Sequence, residues 1–271
     1  ELRLNDCIDR GNEQTDAASG TIHLPPPRNA TGIIAGERTE FRFGAGRRII
    51  RTVRIFGRAQ GRFERSVPVG LDKDTAITWL GHAAFVIETP ESKRLIIDPW
   101  LTESPACPDD WKDAGRVDAV LVTHGHFDHS GDVVDVANSS SCPVLGTVEL
   151  CSGFEVQGVR NTIGFNLGGT VEVAGVRVTM VKAEHTSSLT GDNGPIYAGV
   201  PVGYVIEMNN GFKVYHAGDT GLFGDMTLIG ELYRPDLALL PIGDHYTMGP
   251  LHAARACRML GVEHAIPMHF G

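Results

Sequence analysis

The feature that most constrains the fold of this chain is the stretch THGHFDHS at residues 123–130, which holds three imidazoles and one carboxylate within six residues. It directly follows DAVLV at 118–122, a run with the length and β-branched content of a buried strand. If the backbone stays extended through His124 and His126, the period of two places both imidazoles on one side. Gly125 lets the chain pass close to whatever they bind. The stretch therefore predicts a site at the end of a buried strand.

Metal binding is the chemistry that these residue types favour. Imidazole suits zinc and other borderline divalent metals, and the carboxylate of Asp128 keeps manganese and iron open. Asp128 and His129 are expected to lie in the turn after the strand and to face the same site as His124 and His126. These few residues cannot complete the coordination of a metal with certainty, so further ligands must come from farther along the chain. A His-rich loop without function is the alternative, but such tracts are typical of metal sites.

The charge distribution argues against nucleic acid as a partner. The chain has 271 residues and a net charge of −9. Residues 1–75 hold 13 Lys and Arg against 10 Asp and Glu, whereas residues 76–271 hold 11 against 23. A segment this acidic is a poor candidate for non-specific nucleic-acid binding. We therefore expect a small-molecule substrate and no nucleic acid, and we leave a homo-oligomer open.

Residues 1–75 differ in composition from the rest. They contain PPP at 25–27 and 12 Arg to one Lys, and RRIIRTVRIF at 47–56 is their candidate strand. We predict an irregular, poorly ordered N-terminal extension. The alternative is a basic arm that contacts RNA or anionic lipid.

Cysteine usage and hydropathy predict the compartment. The five cysteines form no CxxC pair, and no apolar run approaches the roughly 18 residues that span a bilayer. We also expect no signal peptide, because the first residues lack its pattern. We therefore expect a cytoplasmic protein that is not inserted in a membrane.

Short strands dominate the pattern from residue 76 onward. Apolar runs broken by Gly, Pro and Asn predict a β-meander, followed by further strands and two hairpins that turn at Ala174-Gly175 and Asn209-Asn210-Gly211. The predicted strands are 77–80, 84–88, 95–98, 118–122, 143–145, 171–173, 176–181, 202–207, 212–216, 237–242 and 264–268. The predicted helices are 131–138, 147–154, 222–232 and 251–260, and residues 186–199 are predicted as a Gly-rich loop.

Three further residues lie at or just past the ends of predicted strands, as the first cluster does: His185, Asp219 and His269. Seven candidate ligands at four strand ends suggest two metals rather than one. One ion would take His124, His126 and His185, and the other would take Asp128, His129 and His269. Asp219 would bridge both ions with its two carboxylate oxygens.

Seven stretches of the chain carry a resemblance to a known family. They are TWLGHAAFVIE, LIIDPWL, LVTHGHFDHSGD, AEHTSS, YHAGDTGLFGDM, PDLALLPIGDHYTMGP and IPMHFG. In combination they resemble the metallo-β-lactamase superfamily, whose signature is H-x-H-x-D-H followed by a distant His, Asp and His. More narrowly, the chain is similar to a group of small metal-dependent hydrolases related to ascorbate-6-phosphate lactonase.

This resemblance covers residues 76–271 and implies an α+β fold, a four-layer αββα sandwich of two mixed sheets with helices outside. It implies metals at one edge and the ligand roles assigned above. Members of the family continue past the motif at His269-Phe270-Gly271 into a final loop and helix, so a domain truncated at its C-terminus is expected.

The implied activity is hydrolysis. Two cations about 3.5–4 Å apart lower the pKa of a water held between them toward roughly 7. Asp128 would be the catalytic residue that orients this water and accepts its proton. We expect a dinuclear enzyme, zinc first with manganese or iron as alternatives, that uses a metal-bound hydroxide to cleave a small ester, lactone or phosphodiester. The alternatives are a di-iron redox protein and a non-catalytic metal-binding module on the same scaffold.

Four more residues are candidates for supporting roles. His82 follows a strand and is either a neighbour of the metal ligands or a buried hydrogen-bonding histidine. Asp98 is expected to fix the conformation of the metal-binding loop through hydrogen bonds. His216 is expected to be structural, and His245 to line the substrate pocket.

Overall fold

Two β-sheets that pack face to face form the centre of the protein, and helices cover their outer faces. A computed structural model describes residues 53–55 and 75–270. The first sheet runs in the order in which its strands follow one another along the chain. These strands are β1 (Val53–Ile55), β2 (Ala76–Trp79), β3 (Phe85–Glu88), β4 (Arg94–Ile97), β5 (Ala119–Leu121), β6 (Val144–Thr147) and β7 (Thr162–Phe165).

The remaining strands form the second sheet and a separate hairpin. They are β8 (Thr170–Val173), β9 (Val176–Lys182), β10 (Ser188–Gly191), β11 (Gly194–Tyr197), β12 (Val202–Glu207), β13 (Lys213–His216), β14 (Leu237–Pro241) and β15 (Ala265–Met268). The second sheet has the order β15-β14-β13-β12-β9-β8, and β10 pairs with β11 in a separate two-stranded sheet. The α-helices are α1 (Phe127–Ser130), α2 (Val133–Ser140), α3 (Val148–Val156), α4 (Met226–Tyr233) and α5 (Pro250–Leu260).

Alternation along the strands divides the core into two parts. In β4, Leu95 and Ile97 face the apolar cluster shared with the second sheet, whereas Ile96 faces the cluster that includes residues of α2 and α3. Successive side chains of a strand point to opposite faces, so one strand can supply both clusters. Residues of α4 and α5 pack against the second sheet. The result is the αββα sandwich expected from the resemblance.

The strand ends of the two sheets bring distant parts of the chain to one edge. β9, β13 and β15 run in the same direction, because β12 is antiparallel to β9 and β13, and β14 is parallel to β13 and β15. In the first sheet, β4 and β5 are parallel neighbours, with Ile97 opposite Leu121. Residues just past these strands therefore meet in space, although Asp98 and His269 are 171 residues apart in sequence.

The described secondary structure matches the predictions in most places and differs from them in a few. The segment 186–199, predicted as a loop, contains the hairpin of β10 and β11. Every residue of β11 is exposed, so this strand has no alternation of buried and exposed positions that the sequence could reveal. Strand β7 and the single-turn helix α1 were also not predicted.

Parts of the N-terminal prediction lie outside the described residues. β1 falls within the candidate strand at 47–56 and pairs in parallel with β2. The predicted irregular extension at 1–75 otherwise lies outside the described residues, so the domain boundary at residue 76 stays a prediction. In the part of the chain that is described, no helix combines the length and apolarity needed to cross a bilayer.

Two buried tyrosines on neighbouring strands allow a matched test of the packing between the sheets. The hydroxyl of Tyr204 donates to the carbonyl oxygen of Val122 at 2.7 Å and so links β12 to the end of β5. The hydroxyl of Tyr215 on β13 is buried and has no hydrogen-bond partner among the described residues. We expect Tyr204→Phe to lower the free energy of unfolding by about 1–2 kcal/mol, because a buried hydrogen bond is lost.

Tyr215→Phe serves as the control and should leave the free energy of unfolding unchanged or raise it, because it removes a buried group that has no partner. Urea unfolding followed by circular dichroism measures both variants. Equal losses in the two variants would show that the hydrogen bond to Val122 does not hold the sheets together.

Candidate metal centre

The seven predicted ligands lie together at the edge where the strands end. Their ligand atoms form groups in which all atoms lie within 4.8 Å of one another. One group is His124, His126 and His185, another is His82, Asp128, His129 and His269, and a third is His124, His129 and Asp219. The structure thus brings the 124–129 loop together with the three distant residues. It also adds His82 to the Asp128 group.

Imidazoles alone form the first group. The Nε2 atom of His124 lies 3.0 Å from the Nδ1 atom of His126. The ring of His185 stands edge-on to both, with centroids 5.1 Å from His124 and 5.2 Å from His126. Burial lowers the pKa of His124 well below its ordinary value, so its ring is neutral and keeps one nitrogen lone pair.

A carboxylate and three imidazoles form the second group. The Oδ2 atom of Asp128 lies 2.9 Å from the Nε2 atom of His82 and 3.9 Å from the Nε2 atom of His269. Burial alone would raise the pKa of the Asp128 carboxyl. The hydrogen bond from His82 and the neighbouring His129 outweigh burial and lower this pKa to about 2. Asp128 is therefore ionised at neutral pH.

Asp219 lies between the two groups and contacts both. Its Oδ2 atom is 2.8 Å from the Nε2 atom of His269 and 3.6 Å from the Nε2 atom of His185. Its Oδ1 atom is 3.3 Å from the Nε2 atom of His129. This buried side chain follows the turn at Ala217-Gly218 after β13. Its Oδ2 atom thus faces one histidine of each group, whereas its Oδ1 atom faces His129 of the second group, and the bridging role stays a prediction.

Asp98 determines which nitrogen of two histidines faces the site. Its carboxylate accepts hydrogen bonds from the backbone N–H of Thr123 at 2.7 Å, from Thr123 Oγ1 at 2.6 Å and from His129 Nδ1 at 2.8 Å. Because Thr123 Oγ1 donates to Asp98, it accepts from the Nδ1–H of His124 at 3.0 Å. The Nε2 atoms of His124 and His129 are therefore left toward the centre of the site. These contacts are what a supporting role would need, and the role of Asp98 stays a prediction.

Two buried atoms at the centre form no hydrogen bond with any described residue. They are the Nε2 atom of His129 and the Oδ1 atom of Asp219, which lie 3.3 Å apart. Burial disfavours charge on His129, yet the carboxylates of Asp219 and Asp98 outweigh it and hold the pKa of His129 well above its ordinary value. Unpaired buried polar groups are costly, so the site favours a cation between these atoms. The donor set therefore fits the divalent metal ions that the fold family implies.

His216 and His245 stand apart from these groups. His216 donates from Nε2 to the carbonyl oxygen of Ala83 at 3.1 Å and accepts at Nδ1 from the backbone N–H of Gly218 at 3.1 Å. Both of its nitrogens are thus in use, and it shapes the turn before Asp219. His245 is exposed and packs against Tyr246 with ring centroids 4.4 Å apart. The structure does not bring it into any of the ligand groups of the described residues.

Two residues of the site were missed in the sequence. Thr123, which relays the hydrogen bond from Asp98 to His124, has only one signal, a polar residue at the end of an apolar run. Ser187 accepts a hydrogen bond from the backbone N–H of Gly125 at 3.2 Å. A Cβ atom on Gly125 would lie 2.9 Å from the carbonyl oxygen of Ser188, so Gly125 allows the start of the β10–β11 hairpin to approach the loop.

The fold and the clustered histidines and aspartates define a class, the metal-dependent hydrolases of the metallo-β-lactamase fold. The family model described as the beta-lactamase superfamily domain matches residues 93–270, so the chain belongs to this family. Curated relatives narrow the assignment. A UPF0173 metal-dependent hydrolase of Rubrobacter xylanophilus is 52% identical over 198 residues, which cover 73% of this chain and 82% of the relative. One of Roseiflexus castenholzii is 48% identical over 207 residues, covering 74% and 84%.

A solved structure supports the same assignment. Igni18, described as a metallo hydrolase from the archaeon Ignicoccus hospitalis, is 36% identical to this chain with a TM-score of 0.63. The match covers 73% of this chain and 83% of Igni18. The chain is therefore a metal-dependent hydrolase of the metallo-β-lactamase superfamily.

Asp98 provides a test of how the ligands are oriented. We expect Asp98→Asn to weaken zinc binding by roughly 10- to 100-fold, because residues that orient metal-bound histidines typically contribute this much. Asn tolerates the positive φ of 47° at this position, so the backbone should be retained. Titration against a chromogenic chelator measures the affinity.

Asp118→Asn is the matched control, since Asp118 accepts the backbone N–H of Arg94 at 2.9 Å just before β5, at the opposite end of that strand. It should bind zinc as the wild type does. Unchanged affinity in Asp98→Asn would contradict the orienting role.

Proposed function

We propose that this chain is a dinuclear metal hydrolase that cleaves a small ester, lactone or phosphodiester. The observation that carries the proposal is the position of Asp219, whose Oδ1 atom lies 3.3 Å from His129 and whose Oδ2 atom lies 2.8 Å from His269 and 3.6 Å from His185. A carboxylate that contacts both ligand groups favours two ions over one.

The ligand groups suggest how the ions would be held. His124, His126 and His185 would hold one ion, Asp128, His129 and His269 the other, and Asp219 both. Zinc is the first candidate for this set of imidazoles and carboxylates, with manganese and iron as alternatives. When bound, such a pair polarises the scissile bond of the substrate and lowers the pKa of a water between the ions toward roughly 7.

Asp128 is proposed to orient the attacking water. Its pKa of about 2 keeps it ionised, so it can accept a hydrogen bond from water at neutral pH. The same low pKa makes it a weak proton acceptor, because a general base works best with a pKa near the working pH. Orientation is therefore its main contribution in this proposal.

The residues around the site favour a substrate of low charge. The segments that carry the site residues, namely 81–85, 98–102, 123–132, 183–199, 216–226, 242–250 and 266–270, contain no Lys or Arg. A substrate with several phosphates would need such fixed cations. An apolar contact is available instead, because Phe127 is 60% exposed and stands edge-on to Trp100 at 5.7 Å. We therefore place esters and lactones ahead of phosphodiesters.

The cytoplasm is proposed as the location. Cys107, Cys142 and Cys151 are buried free thiols, which suits a reducing compartment. Burial raises the pKa of Cys107, Cys142 and Cys151 to about 11, so these thiols are poorly reactive.

Metal analysis combined with a substrate panel tests the proposal. We expect zinc or manganese near two per chain and turnover of an ester, lactone or phosphodiester reporter. EDTA should abolish turnover, and added zinc or manganese should restore it. Iron with a visible absorbance band and no hydrolysis would support the di-iron redox alternative. Bound metal without turnover of any reporter would support a non-catalytic metal-binding module.

Replacement of Asp128 tests its role. Asp128→Ala should lower kcat by at least roughly 10²-fold, the scale of a positioned proton-transfer or hydrogen-bonding group, and should weaken binding of the second metal. Asp135→Ala, at an exposed position of α2, is the control and should retain full activity. Steady-state kinetics on the best reporter measures both, and full activity in Asp128→Ala would refute the role.

A further inference from the structure

His82 occupies the turn between β2 and β3, and its contacts fall on one side of the metal centre. It has a positive φ of 51°, a backbone conformation that L side chains rarely adopt. The preceding Gly81 has φ 102°, and a Cβ there would lie 2.7 Å from the backbone carbon of Ala106. The turn is therefore held closely against the loop after β4, and His82 has a well-defined position.

The side chain of His82 contacts Asp128 directly. Its Nε2 atom lies 2.9 Å from Asp128 Oδ2, the same oxygen that is 3.9 Å from His269 Nε2. Because Asp128 is ionised, its carboxylate accepts and the His82 Nε2–H donates. The Nε2 atom of His82 therefore donates to the candidate ligand Asp128, and in this protonation state it has no lone pair with which to bind a metal itself.

The same ring also contacts His269. The ring centroids of His82 and His269 are 3.9 Å apart at an interplanar angle of 44°. His82 also contacts Trp100, with ring centroids 5.2 Å apart at an interplanar angle of 82°. The His82 ring therefore packs against His269 closely enough to limit the rotation of that side chain.

The backbone of His82 adds a third contact. Its carbonyl oxygen accepts from the backbone N–H of His269 at 3.0 Å and from Trp79 Nε1 at 2.9 Å. His269 also has a positive φ, 53°. This link joins the β2–β3 turn of the first sheet to the end of β15 in the second sheet, and it does not depend on the His82 side chain.

From these contacts we propose that His82 is a positioning residue that holds Asp128 and His269 in their metal-binding geometry, so that it sets the affinity for one of the two ions. The inference rests on the proposed dinuclear function. Among the contacts that the described residues make, those of the His82 side chain fall on Asp128, His129 and His269 of the second group and on Trp100. None falls on His126 or His185, which belong to the first group.

Substitutions that separate the hydrogen bond from the ring contact test this inference. His82→Phe keeps an aromatic ring against His269 but cannot donate to Asp128. His82→Gln keeps a donor of similar reach and loses the ring. His82→Asn tolerates the positive φ but is too short to reach Asp128, so it repeats the test if the Phe variant does not fold. His252→Gln, at an exposed position of α5, is the matched control.

Stepwise zinc titration of the metal-free chain against a chromogenic chelator is the measurement. We expect His82→Phe and His82→Asn to bind the first zinc as the wild type does and the second roughly 10- to 100-fold more weakly. His82→Gln should recover much of the second affinity, and His252→Gln should match the wild type. Thermal unfolding of each metal-free variant verifies that it is folded.

Three results would overturn the inference. An equal loss of affinity for both zinc ions would point to a general structural role. Unchanged affinities would show that His82 does not position Asp128 or His269. Loss of the second ion in all three His82 variants, without recovery in His82→Gln, would indicate that His82 is itself a ligand. Because the readout is metal binding, a wild-type chain that binds two ions and cleaves no reporter contradicts the proposed hydrolysis while leaving the role of His82 intact.

Discussion

The buried carboxylate of Asp98 is the constraint on which the metal centre depends. Asp98 is fully buried, and a charge in that position is tolerated only when it is paired and hydrogen-bonded. Thr123 and His129 donate these hydrogen bonds, and the Thr123 hydroxyl in turn orients His124 by accepting from its Nδ1–H. One carboxylate thus stabilises the end of β5, selects the donor nitrogens of two histidines and adds negative charge beside Asp219. Asp98 contacts the ligands on the side away from the centre of the site.

The sheets supply the frame for this arrangement. Parallel strands end at the same edge, and the hydrogen bond from Tyr204 to Val122 joins the two sheets at the point where the 123–130 loop begins. Positive φ angles occur at His82, Asp98 and His269, all of which lie at the site. Such strained backbone conformations persist only where many surrounding contacts hold them in place. The rigid sheets therefore hold an irregular edge in a conformation that short peptides would not adopt.

Without a cation the site is electrostatically incomplete. His129 and Asp219 each keep a buried atom without a hydrogen bond, although they lie 3.3 Å apart. Anything that binds the folded chain but not the unfolded one stabilises the fold, so bound metal would contribute to stability as well as to chemistry. His129 and Asp219 thus affect both the stability of the fold and the chemistry of the candidate site.

The sequence by itself determined the local part of the site, because HGHFDH holds its candidate ligands within one strand end and one turn, where spacing dictates direction. It also located His185, Asp219 and His269 at strand ends and indicated most strands, since their apolar alternation is a local property. Only the tertiary structure decided which atoms face one another: His82 pairs with Asp128 across 46 residues, and Asp219 reaches both histidine groups. The order and direction of the strands decide which side chains pair, and no local sequence pattern predicts these pairs. For the same reason the exposed β10–β11 hairpin was missed, because its position depends on contacts with the 123–130 loop rather than on a buried face of its own.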